Sequence, residues 1–196
     1  LELGVSYQLV LIAEDESDNL QSSITALDFT VPDNREDQII TFELVDEVTV
    51  GDDNLSLSAS NSSGNEVSFK SSDEEVATII TTEAGMQVQI TGAGTVDITA
   101  YHEGDLTYKP SETSEQLVVT KLEQTINFTT IGDQSLEDSP ITLQASATSD
   151  LTVEFALLEG NGVILGNQLT INEAGTFEVE AIQNGNQNYL EAESII

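Results

Sequence analysis

Residues 92–108 read GAGTVDITAYHEGDLTY, and a stretch of the same design returns at residues 173–189 as EAGTFEVEAIQNGNQNY. A shift of 81 positions superimposes the two and places Tyr108 on Tyr189. A repeat at this spacing predicts one folded module that is used twice. It favours an array of modules over a single catalytic domain.

The repeated stretch has the pattern of a β-strand that is buried on one face. Val96, Ile98 and Ala100 alternate with polar residues, and this period of two is typical of strands. Similar short strands recur about every 8–12 residues with turn signals between them, which predicts an all-β fold built from tandem immunoglobulin-like β-sandwiches. No segment has a convincing helical pattern.

Three units follow from the repeat: residues 1–35, residues 36–122 as a first module, and residues 123–196 as a second module. Gln38 falls on Gln124 with an offset of 86, so the second module is five residues shorter between its third strand and residues 169–171. The counterpart of the strand at residues 116–120 falls beyond Ile196. Two readings are open: the sequence is an excerpt that stops there, or an unpaired sheet edge accepts a strand from a neighbouring chain.

Residues 1–35 predict a hairpin with one strand around residues 7–13 and a second at residues 24–31. The segment resembles the last two strands of a fibronectin type III domain. Leu1, Gly4 and Tyr7 match that family's corner motif and residues 13–19 match its next turn, although Leu3 replaces the usual Pro. A two-stranded hairpin is marginal alone, so we expect it to complete a domain that begins earlier.

Charge restricts the partners that the chain can have. Its 196 residues include 36 Asp and Glu against only 4 Lys and Arg, for a formal net charge of −32. Nucleic acids and anionic membrane surfaces need clustered basic residues, so neither is an expected partner. The acidic excess fits either a solvated surface in a salty medium or carboxylates gathered for Ca²⁺.

Catalytic chemistry finds little support in the sequence. There is no Cys, and the only His is His102 at the end of a predicted strand, where we expect a surface imidazole. No triad is spaced around it. We therefore predict no catalytic residues, no cofactor-binding residues and no enzyme activity of these modules.

Calcium is the one ligand for which the loops offer suitable oxygen donors. Acidic and amide side chains cluster in three loops, and two of the clusters correspond because Glu47 falls on Asp133 and Asp52 on Asp138. None of the loops has EF-hand spacing. The candidate calcium ligands are Asp15, Asp18, Asn19, Glu47, Asp52, Asp53, Asp133 and Asp138.

Both modules resemble the bacterial immunoglobulin-like repeats of very large secreted surface proteins, which are common in Bacteroidota and include gliding adhesins exported by type IX secretion. The match in the second module is carried by Gln124, Ile126, Phe128, Ala145, Ser146, Val153, Phe155, Gly175, Thr176, Ala181, Gly185, Asn186 and Tyr189. The first module departs from the family at Asp105, where Asn is usual, and the second at Glu173, where Gly is usual.

The resemblance implies an extracellular or cell-surface stalk or adhesive segment without direct membrane insertion. Its partners would be neighbouring repeats of the same long chain, and a surface protein, a secretion-machinery protein or a polysaccharide. Accessory modules of a polysaccharide-degrading enzyme are the alternative, and an acidic subunit that meets a basic partner is a third possibility. The short joint at residues 120–123 predicts a stiff connection between modules.

Two structural roles are expected for the matching residues. Gly94 and Gly175 precede a strand at a tight connection, where a positive φ is predicted. Tyr108 and Tyr189 are expected to anchor one end of each sandwich with the hydroxyl bonded to backbone.

Overall fold

Nearly all regular structure among the described residues is β-strand, which confirms the predicted all-β class. A computed structural model describes residues 5–11 and 25–196. The first two strands, β1 (Ser6–Leu11) and β2 (Thr25–Thr30), pair antiparallel as the predicted hairpin. The rings of Tyr7 and Phe29 stack across it with centroids 5.9 Å apart. Its assignment to a fibronectin type III domain stays a prediction, because most residues of that match lie outside the described ones.

The first module consists of nine strands. They are β3 (Ile40–Phe42), β4 (Glu47–Thr49), β5 (Leu55–Ser56), β6 (Ala59–Asn61), β7 (Ser68–Ser71), β8 (Ala77–Thr82), β9 (Gly85–Ile90), β10 (Gly94–His102) and β11 (Ser111–Thr120). One sheet has the order β4-β11-β10-β7, with β4 parallel to β11. The other consists of β5-β9-β8, and β3 pairs with β6. This is the two-sheet arrangement of an immunoglobulin-like sandwich.

The core of the first module forms where the apolar faces of these strands meet. Val96, Ile98 and Ala100 of β10 are at most 1% exposed, as their alternation predicts. Leu117 of β11 lies in the same cluster at 0% exposure, together with Val88 from the opposite sheet. Burial of this apolar surface from both sheets is the main stabilising contribution to the module.

The second module repeats the pairing with seven strands: β12 (Ile126–Phe128), β13 (Ile141–Thr142), β14 (Ala145–Ala147), β15 (Glu154–Glu159), β16 (Gly162–Leu165), β17 (Gln168–Ile171) and β18 (Glu178–Ile182). The pairs β12-β14 and β15-β18 and the sheet β13-β17-β16 correspond to β3-β6, β7-β10 and β5-β9-β8. Its own core contains Leu143, Leu169 and Val179. The described part of the chain thus forms two separate cores, although the module boundaries at residues 36, 122 and 123 stay a prediction.

Two details differ from the sequence expectations. A single 3₁₀ turn forms at Leu136–Asp138, where no helix was expected. Gly94 has φ +156 and a side chain there would approach Val76 to 2.7 Å, but Gly175 has open space around it and no positive φ. The prediction for Gly175 is wrong, and the two positions differ in setting: Gly94 is the first residue of β10, whereas Gly175 lies in the loop before β18 begins at Glu178.

Candidate functional site: the joint ahead of each module

The turn that ends the repeated stretch is closed by one side-chain oxygen. In the first module, Oδ1 of Asp105 accepts hydrogen bonds from the backbone N–H groups of Thr107 and Tyr108, both at 2.7 Å. The Asp105 N–H donates to the carbonyl of Tyr108 at 2.9 Å. Short polar side chains favour such turns because they replace backbone acceptors locally.

The second copy of the turn has the same bonds with an amide in place of the carboxylate. Oδ1 of Asn186 accepts from the N–H groups of Asn188 at 2.8 Å and Tyr189 at 2.9 Å. Asp and Asn are therefore equivalent in closing the turn, because one acceptor oxygen closes it. The second oxygen of Asp105, Oδ2, accepts from Nδ2 of Asn65 at 3.2 Å. Within the described residues the tyrosine hydroxyl makes no hydrogen bond in either copy, so the predicted hydroxyl-to-backbone bond is not found. The backbone N–H of each tyrosine is hydrogen-bonded instead, to Asp105 or Asn186.

The segment entering each module pairs with this turn through its backbone. Glu36 donates to the carbonyl of Thr107 at 2.7 Å and accepts from the N–H of Lys109 at 2.9 Å, which makes a parallel bridge beside Tyr108. Leu122 repeats this geometry. It donates to the Asn188 carbonyl and accepts from the Leu190 N–H, at 2.9 and 2.8 Å. The incoming chain is thus fixed to the body of the module just before its first strand.

A basic side chain reinforces each of these contacts. Nζ of Lys121 donates to the carbonyl of Asn186 at 2.7 Å, and Nη1 of Arg35 reaches the carbonyl of Asp105 at 3.5 Å. Arg35 also pairs with Asp33 at 2.9 Å. The hydrogen bond from Arg35 lowers the pKa of Asp33 to about 2 and raises the pKa of the guanidinium. Two of the four basic residues in the chain therefore serve the same position ahead of each module.

A buried glutamine connects this entry segment to the module. Gln38 is 6% exposed. Its Nε2 donates to the Lys109 carbonyl at 2.5 Å and to Nδ1 of His102 at 2.9 Å. Its Oε1 accepts from Nδ2 of Asn61 at 2.7 Å and from the Ser63 hydroxyl at 2.9 Å. Both donors and both acceptor positions of the amide are used, so the buried polar group is fully satisfied.

Gln124 occupies the corresponding position in the second module and is also 6% exposed. Its Nε2 donates to the carbonyl of Leu190 at 2.6 Å and contacts Oε1 of Gln183 at 3.5 Å. Its Oε1 accepts from the hydroxyl of Ser149, the counterpart of Ser63. We call these two clusters, centred on Gln38 and Gln124, the joint networks.

His102 is a structural member of the first joint network, and the predicted surface imidazole is only half exposed. Its Nδ1 accepts from the N–H of Gly104 at 3.0 Å, so the ring proton is on Nε2. Gln183 takes the same place in the second module, where Oε1 accepts from the N–H of Gly185 at 2.5 Å. Replacement of a histidine by a glutamine acceptor in the second copy indicates a hydrogen-bonding role. Comparing His102 with Gln183 in the sequence could have revealed it.

Two of the calcium candidates have another role, because each closes its own loop with a hydrogen bond. Asp15, Asp18 and Asn19 lie outside the described residues. Oδ2 of Asp52 accepts from the Thr49 N–H at 2.8 Å, and Oδ2 of Asp138 accepts from the Ser135 N–H at 3.0 Å. Their recurrence is thus explained by a loop bond that both modules share.

The remaining candidates differ in their backbone setting. Glu47 lies in β4 and pairs with Val118, whereas its counterpart Asp133 and also Asp53 lie outside strands. No three His, Cys, Asp or Glu side chains converge into a metal-binding group among residues 5–11 and 25–196. A calcium site in these loops stays a prediction.

A further contact joins the turn of the second module to a loop in the body of the first. Oδ1 of Asn188 accepts from the backbone N–H of Ala93 at 3.2 Å. Gly92 lies beside it, since a Cβ there would be 3.3 Å from the same oxygen and 3.5 Å from Nε2 of Gln187. The turn of the second module therefore rests on the loop that opens β10. Sequence reasoning placed the joint at residues 120–123 and missed this contact, for which the sequence carries no signal.

Acid should weaken the first turn more than the second. Hydrogen bonds from the N–H groups of Tyr108 and Thr107 lower the pKa of Asp105 below its usual value. A lowered carboxyl pKa gives stability that is complete above the unfolded-state value near 4 and is lost as the pH falls through the folded-state value. Asp105→Asn should therefore flatten the fall in melting temperature of the first module between pH 5 and pH 2, measured by thermal melts followed by NMR.

Asp97→Asn is the matched control for that experiment, because it removes one exposed carboxylate from the neighbouring strand β10. It should leave the acid dependence of the melting temperature as in the unmodified chain. An identical change in both variants would contradict a specific role of Asp105.

The fold and the joint together define a tandem array of immunoglobulin-like modules. No protein-family model matches the sequence, and no curated protein matches it. Among solved structures, the protocadherin gamma B4 extracellular domain shares 16% identity with a TM-score of 0.33, covering 92% of this chain and 36% of that one. Protocadherin gamma B2 cadherin domains 1–5 share 10% identity with a TM-score of 0.34, covering 95% and 45%.

A second protocadherin gamma B2 structure, of cadherin domains 3–6, shares 12% identity with a TM-score of 0.33 and covers 96% of this chain and 56% of that one. The chain therefore spans between about a third and just over half of each of these structures. Such low TM-scores carry no argument, so the fold assignment rests on the strand pairing of the chain itself. Among the described residues, no helix has the length and apolarity needed to cross a bilayer.

Proposed function

We propose that this chain is a non-catalytic segment of an extracellular or cell-surface stalk, in which its modules act as stiff structural or adhesive units. The observation that carries the proposal is the repeated joint. In both modules the entry residue, Glu36 or Leu122, is hydrogen-bonded on both sides of the turn tyrosine. A segment held this way has little freedom to swing, because bending it would break backbone hydrogen bonds.

The contact between modules adds to this restraint. Three attachments hold the second module near the end of the first: the Leu122 bridge, the Lys121 bond to the Asn186 carbonyl, and the Asn188 bond to the Ala93 N–H. The strongly acidic surface would keep neighbouring arrays apart through charge repulsion. Neighbouring repeats of the same chain are the partners that this arrangement fits best. The bacterial setting and export by type IX secretion rest on the sequence resemblance.

No specific observation favours the alternative of accessory modules on a polysaccharide-degrading enzyme. The sequence has no Trp and four Tyr. The ring of Tyr101 is covered by the Lys70 ammonium at 5.1 Å from the ring centroid, and Tyr7 stacks on Phe29. These rings are engaged within the protein and do not form an open stacking platform.

Rigidity of the joint is the property to test. Asn188→Ala removes the side-chain oxygen that accepts the hydrogen bond from the Ala93 N–H of the first module. We expect the two modules of the unmodified chain to share one rotational correlation time in ¹⁵N NMR relaxation. In the variant, the correlation times should separate measurably while each module keeps its melting temperature.

Asn127→Ala is the matched control, because Asn127 is an exposed residue of β12 whose side chain forms none of the bonds across the joint. It should leave the shared correlation time unchanged. Independent tumbling of the two modules in the unmodified chain would rule out the stiff-stalk proposal.

A further inference from the structure

Of the side chains that form the two joint networks, only the imidazole of His102 changes its charge near neutral pH. His102 is the last residue of β10 and is half-buried, so the ring can exchange protons with solvent. Its Nδ1 accepts two hydrogen bonds, from Nε2 of Gln38 at 2.9 Å and from the N–H of Gly104 at 3.0 Å. Both bonds require that Nδ1 carry no proton.

Protonation of the ring turns Nδ1 from an acceptor into a donor. The new N–H would point at Nε2 of Gln38 and at the Gly104 N–H, so three donors would meet without an acceptor. A polar group that loses its partner inside a protein costs more than the lost bond contributed. The first joint network is therefore incompatible with a protonated imidazole.

The Gln38 amide cannot repair the network by turning over. In the reversed orientation its Oε1 would face the imidazolium but also the carbonyl of Lys109, and its Nε2 would face Nδ2 of Asn61. Asn61 is itself fixed, because its Oδ1 accepts from the Ser63 N–H at 3.1 Å. One conflict would be replaced by two others.

The bond from Gln38 to Lys109 connects this network to the segment that enters the module. The Lys109 N–H donates to the Glu36 carbonyl at 2.9 Å, and the Glu36 N–H donates to the Thr107 carbonyl at 2.7 Å. Displacement of Gln38 leaves the Lys109 carbonyl without its side-chain donor. The bridge at Glu36 loses support on the side that faces the module.

The charged groups around the imidazole come from several segments: Glu103 and Asp105 in the loop after β10, Glu66 ahead of β7, Lys70 and Glu112 on β7 and β11, and Arg35, Asp37 and Lys109 beside the entry segment. Lys70 bonds to Glu112 at 2.8 Å, and Lys109 bonds to Asp37 at 2.9 Å. The Asp105 carboxylate is held by the Tyr108 and Thr107 N–H groups. No described carboxylate hydrogen-bonds a ring nitrogen, so none replaces the bonds that Nδ1 would lose.

The second joint network has the same design without a titrating group. Gln183 takes the place of His102. Its Oε1 accepts from the Gly185 N–H, and its Nε2 donates to the Thr152 carbonyl at 2.7 Å. An amide keeps its donors and its acceptor at any pH between about 4 and 8. The chain thus carries its own comparison between a titrating and a non-titrating joint.

We propose, independently of the stalk function, that His102 is a pH-sensitive switch in the first joint. The neutral imidazole holds Gln38 and the turn at Gly104, and the segment entering the first module is fixed. The protonated imidazole releases both, and this segment becomes mobile. The second joint stays closed over the same pH range.

The test is hydrogen exchange of the full chain followed by NMR at about pH 7.5 and about pH 5.5, a window that lies above the titration of ordinary carboxylates. After correction for the intrinsic exchange rate, protection of the Gly104 and Lys109 amides should fall at least about tenfold at the lower pH. Protection of their counterparts Gly185 and Leu190 should not change. The imidazole ¹⁵N shifts at pH 7.5 should show the proton on Nε2.

Three variants make the assignment specific. His102→Gln installs the side chain that the second module uses, so the fold should be kept and the pH response lost. Gln183→His should transfer the response to Gly185 and Leu190. Glu103→Gln is the matched control, because it removes the exposed carboxylate next to His102 and leaves the network intact.

The response should persist in Glu103→Gln, and its loss there would assign the effect to surface charge and overturn the proposal. Unchanged protection of Gly104 and Lys109 in the unmodified chain would also overturn it. So would an equal fall at Gly185 and Leu190, a response retained in His102→Gln, or an imidazole proton found on Nδ1 at pH 7.5.

Discussion

Replacing Gln38 by leucine should lower the free energy of unfolding of the first module by about 3 kcal/mol. Leucine keeps the volume of the side chain but removes every hydrogen bond of the amide. The Lys109 carbonyl and the side chains of Asn61 and Ser63 would then lose their bonds to it. An unpaired group in a half-buried site costs more than the bond itself contributes, which makes this one of the largest single-residue effects expected in the chain.

The measurement is denaturant unfolding of the full chain followed by NMR peak intensities of β10, which report the first module alone. Gln89→Leu is the matched control, because Gln89 is an exposed glutamine of strand β9. That substitution should change the free energy by no more than about 0.5 kcal/mol. A comparable loss in both variants would show that the network around Gln38 contributes little.

Gly185→Ala should cost the second module about 3 kcal/mol. Gly185 has φ +72, a region that residues with a Cβ avoid, and an added Cβ would lie 2.7 Å from the carbonyl carbon of Leu190. Two costs therefore add. The backbone at position 185 is strained, and Leu190, whose N–H donates to the Leu122 carbonyl, is displaced. We expect the variant to loosen the joint as well as to lower the melting temperature.

Gly166→Ala separates these two costs. Gly166 also has a positive φ, at +61, but no atom lies within 4 Å of a Cβ placed there. Its substitution should cost only the backbone strain, about 1 kcal/mol. Thermal unfolding of both variants, followed at β18, gives the comparison. Equal losses would show that the close approach to Leu190 is relieved without cost.

Much of the architecture was predictable because strands leave a clear periodic signal. Val96, Ile98 and Ala100 alternate in the sequence and are all buried, and the hairpin and the repeated strand order are confirmed. The joint networks were partly predictable from the sequence, since Gln38 and Gln124 occupy equivalent positions in the two repeats. Their bonds were not predictable, because His102 and Gln183 perform one role with different chemistry, which periodicity does not encode.

The loops were predicted less well, for a physical reason. Asp52 and Asp138 recur, and recurrence alone suggested metal ligands, whereas each closes its own loop by accepting a backbone N–H. Gly175 matches Gly94 in sequence but not in conformation, since Gly94 begins strand β10 whereas Gly175 lies in a loop ahead of β18. The residue type limits which bonds and backbone conformations are available at a position. Its neighbours in the folded structure determine which of them forms.

The sequence by itself determined that this protein has two related β-modules with a short joint, because repeats and alternating apolar residues are local properties of the chain. Only the tertiary structure decided how the joint is held. Asn188 meets Ala93 across 95 positions of the chain, and its counterpart Thr107 has no such neighbour described.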